Sequence, residues 1–358
     1  MKPFERVTIK QIAKEAGTSI GTVDRALSNR PGINPATKAR VLQVAQELGY
    51  TPNRMASALS RKKVLRIGVV SAKNPADFYS YIDQGITQAE TELRDYGVVI
   101  ERLYSPLLAP DEQRELLENL DYTKYDGLVI NAGGEPSVPY INKFVAEGVP
   151  VATFNSDSPG SDRLFFVGSN SRQSGRLGGE MMGKLLGGKG KVAIIGNYLN
   201  TTTFVDRFGG FCEVIQREYP EISIYPCAEC YSNPARAYSI MAGLLKEDLH
   251  INGFFSTGYS ATVGAVEAIK EAGRRNVTVI GYDLSESIMQ ALKDGWCTSA
   301  LYQDPFQQSY QALRLMVRHL IEGWVPPSKT LFVEAQVVFR YNMDSYTKEH
   351  LQENPFRY

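Results

Sequence analysis

Apolar positions recur along this chain in two rhythms. Over residues 8–16, TIKQIAKEA, the residues Ile9, Ile12, Ala13 and Ala16 fall three or four apart, which buries one stripe of a helix and leaves Lys10, Gln11, Lys14 and Glu15 outside. Gly17 ends that helix. Thr18 and Ser19 supply hydroxyl caps for a second helix over Ile20–Leu27, with Val23, Ala26 and Leu27 inward and Gly21, Asp24 and Arg25 outward. Two short helices joined through a glycine turn read as a helix-turn-helix. Asn34 and Pro35 make the cap and first-turn pair of a third helix, whose Ala39, Leu42, Val44, Ala45 and Leu48 supply a core before Gly49 stops it. In TPNRMASALSRKK, Thr51 and Pro52 start a fourth helix that ends near Leu59 and is so short that it forms only when something packs against it.

From Val64 the rhythm changes. Apolar runs RIGVV, GVVIERL, GLVIN, VPVATF, KVAIIG, GFFST and VTVIGYD alternate with helical stretches such as 78–96 and 263–273. That alternation predicts parallel sheets covered by helices. The segment VATFNSDSPGSDRLFFVGSN lies midway between two similar halves, so the body reads as two lobes with a cleft at the strand ends.

At 358 residues, 43% of them hydrophobic and 22% charged, the chain can bury a sizeable core in two or three folding units. Its formal charge of zero hides an asymmetry: residues 1–63 hold 12 Lys and Arg against 4 acids, a net of +8, and the other 295 residues carry −8. A basic head on an acidic body points to a polyanion partner for the head, a solvated charged face being the other reading. No run approaches the roughly 20 apolar residues of a membrane-spanning helix. The four cysteines, Cys212, Cys227, Cys230 and Cys297, follow a start without a signal-peptide pattern, which predicts a cytoplasmic, reduced protein.

The segments TIKQIAKEAGTSIGTVDRALS and LGYTPNRMASALS together resemble the head and hinge of lactose-repressor (LacI/GalR) transcription regulators. The resemblance implies that the second helix enters the major groove of an operator, with Ile20, Gly21 and Arg25 at base-reading places. Further DNA contacts are implied at Thr8, Thr18, Ser19, Thr22, Asp24, Asn29, Asn53, Arg54 and Ser57. Arg25 can donate two parallel bonds to guanine, worth about 1–3 kcal/mol of discrimination, or it contacts phosphate or forms a surface ion pair. Asp24 departs from the small hydroxyl residue frequent in the family, so the operator cannot be borrowed from better-known members. Leu59 matches the leucine that wedges into the minor groove from each subunit, at a cost of a few kcal/mol of unstacking repaid by extra contact; as an alternative it is a core residue of an ordinary linker helix.

The body is similar to the effector domain of the same family, which resembles ribose-type periplasmic sugar-binding proteins. The implied fold is an all-α helix-turn-helix head on an α/β two-lobed, periplasmic-binding-protein-like body. The boundaries read as a helix-turn-helix over 1–49, a hinge over 50–63, a body over 64–342 and a tail over 343–358. Lobe crossings near Gly168, Gln303 and Leu331 assign 64–168 and 304–331 to the first lobe and 169–303 and 332–342 to the second, where the last strand, FVEAQVVF, ends. Effector-binding residues are expected at Phe78 and Tyr79, which stack on a sugar or pack as helix-start core, and at Asn155 and Asp157 after VPVATF. They are expected as well at Arg207 in RFGGF, at Asp283 in GYD, which otherwise caps the next helix, and at Gln303 in ALYQDP. An acceptor and a donor on opposite walls suit a neutral sugar or polyol; a purine or phosphorylated metabolite is the alternative. Where the family often has Asn-Asp, this chain has Gly258 and Tyr259.

Enzyme readings find little footing. The run 183–189, GKLLGGK, has phosphate-loop spacing but is followed by Gly190 and precedes a strand. No G-x-G-x-x-G follows the first strand. Cys227 and Cys230 lack a second ligand pair and read as ordinary thiols. His250, His319 and His350 stand in no triad-like neighbourhood. The expectation is a regulator without catalytic activity, metal or cofactor: a homodimer on a near-palindromic double-stranded DNA operator, controlled by a small effector, with no membrane partner and no tetramer-forming heptad in the tail. A sugar-modifying enzyme with a basic arm is the rival from another class.

Overall fold

The computed structural model describes residues 7–27, 31–48, 64–72, 77–105, 110–199, 201–248 and 250–346. Contacts divide the chain into two compact units, Met1–Lys63 and Val64–Tyr358.

The first unit holds α1 (Ile9–Ala16), α2 (Ile20–Leu27) and α3 (Pro35–Glu47). Thr8 and Gln11 close a capping box on α1, and Gly17 ends it with φ 64°, a left-handed turn that suits glycine. Ser19 caps α2 through Thr22 N, and Asn34 caps α3 through Ala36 N. The core is Ile12, Ala13, Ala16, Val23, Ala26, Val41 and Ala45. The third helix corrects the expected register: Ala39, Leu42 and Leu48 are exposed, and Val41 takes the central place. The expected hinge helix lies outside the described residues.

The second unit opens with β1 (Leu65–Ala72), α4 (Asp77–Leu93), β2 (Val98–Ser105), α5 (Pro110–Glu118), β3 (Gly127–Ile130), α6 (Val138–Ala146), β4 (Val151–Phe154) and β5 (Phe165–Gly168). It continues through α7 (Ser171–Leu185), β6 (Lys189–Gly196), α8 (Thr202–Glu218), β7 (Glu221–Ile224), β8 (Ala228–Glu229), α9 (Pro234–Glu247) and β9 (Ile251–Ser256). The remainder is α10 (Tyr259–Glu271), β10 (Thr278–Tyr282), α11 (Glu286–Asp294), β11 (Ser299–Tyr302), α12 (Pro305–Glu322), β12 (Thr330–Phe332) and β13 (Gln336–Val338).

Two sheets result, ordered β12-β5-β4-β3-β1-β2 and β13-β11-β10-β9-β6-β7, with β8 beside β6. Every pairing is parallel except β11 with β13. Strands buried on both faces, such as Phe165–Gly168 and Ser299–Tyr302, read as continuous apolar runs because helices cover each side. The chain passes between sheets after β5, after β11 and after β12. The segment FVEAQVVF is not one strand: Thr330–Phe332 closes the first sheet and Gln336–Val338 the second, because 333–335 carries the chain from one edge to the other. Helix α10 starts at Tyr259, four residues before the expected Val263, immediately after the strand end. In the 183–189 run Gly183 lies inside α7, and Gly187 and Gly188 form the turn after it, with φ 63° and 81°.

Helices α7 and α8 touch backbone to backbone. A Cβ on Gly175 would lie 2.1 Å from Arg207 O, and one on Gly210 would lie 2.2 Å from Arg172 O. This clasp sets the depth of Arg207.

Candidate functional site

In the first unit α2 turns its polar side outward. Ile20 is 49% exposed, Gly21 and Arg25 are exposed, and Thr18, Thr22 and Asp24 are half-buried. Thr8 and Ser19 spend their hydroxyls on helix caps, and Ser19 also bonds Thr22 Oγ1 at 2.9 Å. An apolar Ile20, a space at Gly21 and an exposed guanidine end on one short helix suit insertion into a groove. Asn29, Asn53, Arg54, Ser57 and Leu59 lie outside the described residues.

In the second unit the two sheets point their carboxyl ends at a cavity of about 440 Å³. Phe78, Tyr79, Asn155, Arg207, Asp283 and Gln303 all line it. Asn155 and Asp283 follow β4 and β10 with φ 61° and 65°, and Asp304, which caps α12, has φ 54°. Left-handed conformations cost a non-glycine residue energy, and they gather where a fold must aim side chains at a ligand.

Arg207 is the centre of the lobe-two wall and only 3% exposed. Its guanidinium donates to Thr257 O at 2.7 Å and Gln303 Oε1 at 2.9 Å, and lies 4.0 Å from the Tyr282 ring centroid. Its buried Nε has no partner among the described residues. Gln303 Nε2 donates to Asp283 Oδ1 at 2.8 Å. Burial pushes the Asp283 carboxyl up to about 6, against the pull of Arg207 and the Gln303 bond. Burial likewise raises the Tyr79 phenol, helped by Tyr198 and Asp283. Asn155 Nδ2 donates to Gln308 Oε1 at 2.8 Å, tying the strand end to α12. Phe78 and Tyr79 stand edge to face at 5.3 Å.

Asp157 departs from expectation and does not line the cavity. Its carboxylate pairs with Arg163, which is 4% exposed, and accepts from Thr153 Oγ1 and Ser158 N. Arg163 also donates to Lys329 O at 3.0 Å, so the pair joins the β4–β5 loop to the strand that closes the sheet. Three residues beyond the strand end, the side chain has already turned from the cleft.

Gly258 and Tyr259 line the cavity too, and it also takes residues the sequence reading left out: Asn197, Tyr198, Thr201, Thr203, Phe204, Ser232 and Ser260. The signal for Asn197 was present, since it follows the strand KVAIIG just as Asn155 follows VPVATF. Among the described lining residues Arg207 and Asp283 are the only charged ones. The four cysteines are free thiols, and burial pushes Cys227 up to about 12. Among the described residues there is no group of three or more His, Cys, Asp or Glu fit to hold a metal, and no helix long and apolar enough to cross a membrane.

Residues 67–323 match the family model described as periplasmic binding protein domain, and residues 8–53 that of bacterial regulatory proteins, lacI family. The maltose regulon regulatory protein MalI of Escherichia coli K12 is 26% identical over 278 residues, 77% of this chain and 79% of its own. The probable HTH-type transcriptional repressor ExuR of Bacillus subtilis 168 is 26% identical over 286 residues, 77% of this chain and 81% of its own. Among solved structures, an ABC-transporter solute-binding protein of Burkholderia graminis in complex with D-arabinose superposes with a TM-score of 0.74 at 25% identity, over 80% of this chain and 99% of its own.

Proposed function

The chain belongs to the periplasmic binding protein domain family and carries the head of the lacI family of bacterial regulatory proteins, and from that premise we propose that it is a sequence-specific DNA-binding repressor controlled by a neutral cyclic sugar or polyol. The observation that carries this reading is the cavity at the strand ends of both sheets, with one buried guanidinium and one buried carboxylate joined through Gln303. Hydroxyl groups both donate and accept, so a polyol can accept from the Arg207 guanidinium and donate to the Asp283 carboxylate together without importing charge. Phe78 and Tyr79 supply aromatic faces for the apolar side of a ring.

The working unit in this reading is a cytoplasmic homodimer without catalytic activity. Its two heads, joined to the bodies by a hinge over 50–63, read the halves of a near-palindromic operator. Ile20, Gly21 and Arg25 face the bases. The effector shifts the population of lobe arrangements, and with it the pairing of the hinges on DNA, by a coupling of about 1–3 kcal/mol.

A thermal-shift panel tests the effector: D-arabinose, D-xylose, D-galactose, myo-inositol, sugar phosphates and purines. At one hundred times its dissociation constant a ligand adds about 2.7 kcal/mol. A saturable shift from one neutral compound is expected. A shift confined to a phosphorylated compound or a purine overturns the neutral-polyol reading, and turnover of a sugar by the isolated body overturns the regulator reading. Linkage adds a second check, because operator DNA must change effector affinity by the factor with which the effector changes operator affinity.

A further inference from the structure

We propose that Asn197 determines specificity in the cavity by donating its side-chain Nδ2 to a ligand hydroxyl, held in that pose by the Cys230 thiol on one side and by the missing Cβ of Gly258 on the other. This inference rests on the effector-site reading above and names a residue that reading leaves out.

Asn197 sits one residue beyond β6 and lines the cavity. Its Oδ1 lies 3.4 Å from Cys230 Sγ. Cys230 is fully buried, and burial keeps it a thiol at neutral pH, so toward Oδ1 it can only donate. The thiol donates to Oδ1, and Nδ2 turns away from it, with no hydrogen-bond partner among the described residues.

Gly258 occupies the other side. Its φ of −178° is extended backbone open to any residue, so no left-handed turn demands glycine there. It is the N-cap of α10 without a side-chain cap, at a place where Ser, Thr, Asn or Asp would close the helix end. Space explains the glycine. A Cβ would lie 2.9 Å from Asn197 Nδ2 and 3.4 Å from its Cγ. Glycine at 258 and an amide at 197 thus form one unit: the amide stands where a side chain on residue 258 would begin, and Cys230, half of an otherwise unexplained C-x-x-C pair, positions it.

The experiment is calorimetric titration of D-arabinose, D-xylose, D-galactose and myo-inositol into the full chain and its variants, with thermal melts to establish folding. N197A is expected to weaken the polyol that wild type binds best about five- to twentyfold, the loss of one hydrogen bond, and to narrow the preference among the four. G258A should weaken it comparably by displacing the amide, while N197A/G258A should be no weaker than N197A, because the displaced group is gone. C230S keeps a donor and should hold affinity within about threefold, whereas C230A should lose more. Binding by N197A within twofold of wild type, or independent, multiplying effects of N197A and G258A, overturns the proposal. If wild type binds none of the four, the effector-site reading itself fails and takes this inference with it; binding that is indifferent to Asn197 overturns this inference alone.

Discussion

Gly175→Ala sets two effects of opposite sign against each other. In a helix interior alanine is favoured over glycine by about 1 kcal/mol, and Gly175 lies inside α7 with no left-handed φ. Propensity alone therefore predicts a more stable protein. The new Cβ, however, would lie 2.1 Å from Arg207 O, 2.8 Å from its carbonyl carbon and 2.9 Å from its Cα. Ordinary contact begins near 3.4 Å, so α7 and α8 must part by about 1.3 Å, and the obstacle is backbone with no rotamer to change. Overpacking costs about 1–3 kcal/mol where side chains can adjust, and here the upper end applies. Net of propensity, the loss is about 2 kcal/mol, which at about 2 °C per kcal/mol for a domain of this size lowers Tm by roughly 4 °C. Because the clash falls on Arg207 itself, its bonds to Thr257 and Gln303 break, and effector affinity should fall at least tenfold. Gly243→Ala is the control: it lies inside α9 with nothing within 4 Å of its Cβ, and should raise stability by about 0.5–1 kcal/mol. Melts of both variants with an effector titration decide the matter. Equal stabilisation by the two alanines would refute the clasp between α7 and α8 as the device that sets Arg207.

Three further outcomes are expected. Asp283 holds its proton to about pH 6 in the folded protein against 3.8 for the ordinary group, so the folded state binds more protons in that window and stability falls as pH rises through it. Urea melts between pH 3.8 and 6 should show this slope, on the order of 2–3 kcal/mol in all, and Asp283→Asn should remove it, while effector affinity in the wild type weakens below pH 6 as the acceptor is neutralised. Asp157→Asn leaves Arg163 buried beside a neutral partner; it should cost about 3–5 kcal/mol in a denaturant melt and leave effector affinity within threefold, and a collapse of affinity without loss of stability would return Asp157 to the site. Arg25→Ala should cost about 1–3 kcal/mol against the best operator in a mobility-shift assay and relax discrimination at one base pair, whereas a uniform loss on all sequences would make Arg25 a phosphate contact.

The sequence announced most of this architecture because its signals are local. The cap at Asn34, the stop at Gly17 and the apolar runs each act within a few residues, and each is where the pattern puts it. Asn155 and Asp283, expected from the family resemblance at places just past a strand end, line the cavity. What failed depends on side-chain partners and packing that periodicity does not reveal. The side of α3 that counts as inside is decided by α1 and α2, so Leu42 and Val41 exchanged places. Asp157 was lost to Arg163 and Thr153, a pairing that spacing does not reveal. The split of FVEAQVVF follows from two different sheet edges. Asn197 was missed although its strand was found, because the space it needs is made by Gly258, sixty-one residues later.

The three passages of the chain between sheets also impose an order of events during synthesis. The first sheet has five strands once residue 168 has left the ribosome, but its sixth, Thr330–Phe332, and the covering helix Pro305–Glu322 come only after the whole second sheet except its edge strand. At about 5–20 residues per second this leaves roughly 8 to 33 s. Throughout that interval Ile82, Ile86, Val129 and Phe165 face outward without Ala312, Leu313 and Met316 above them. The first half of the nascent body is thus an unfinished layer with an open apolar face and an unpaired edge at Phe165–Gly168, a template for association with its own kind. Translation speed through residues 169–304 and the presence of a chaperone that shields apolar surface then govern how much active regulator a cell obtains, independently of how stable the finished molecule is.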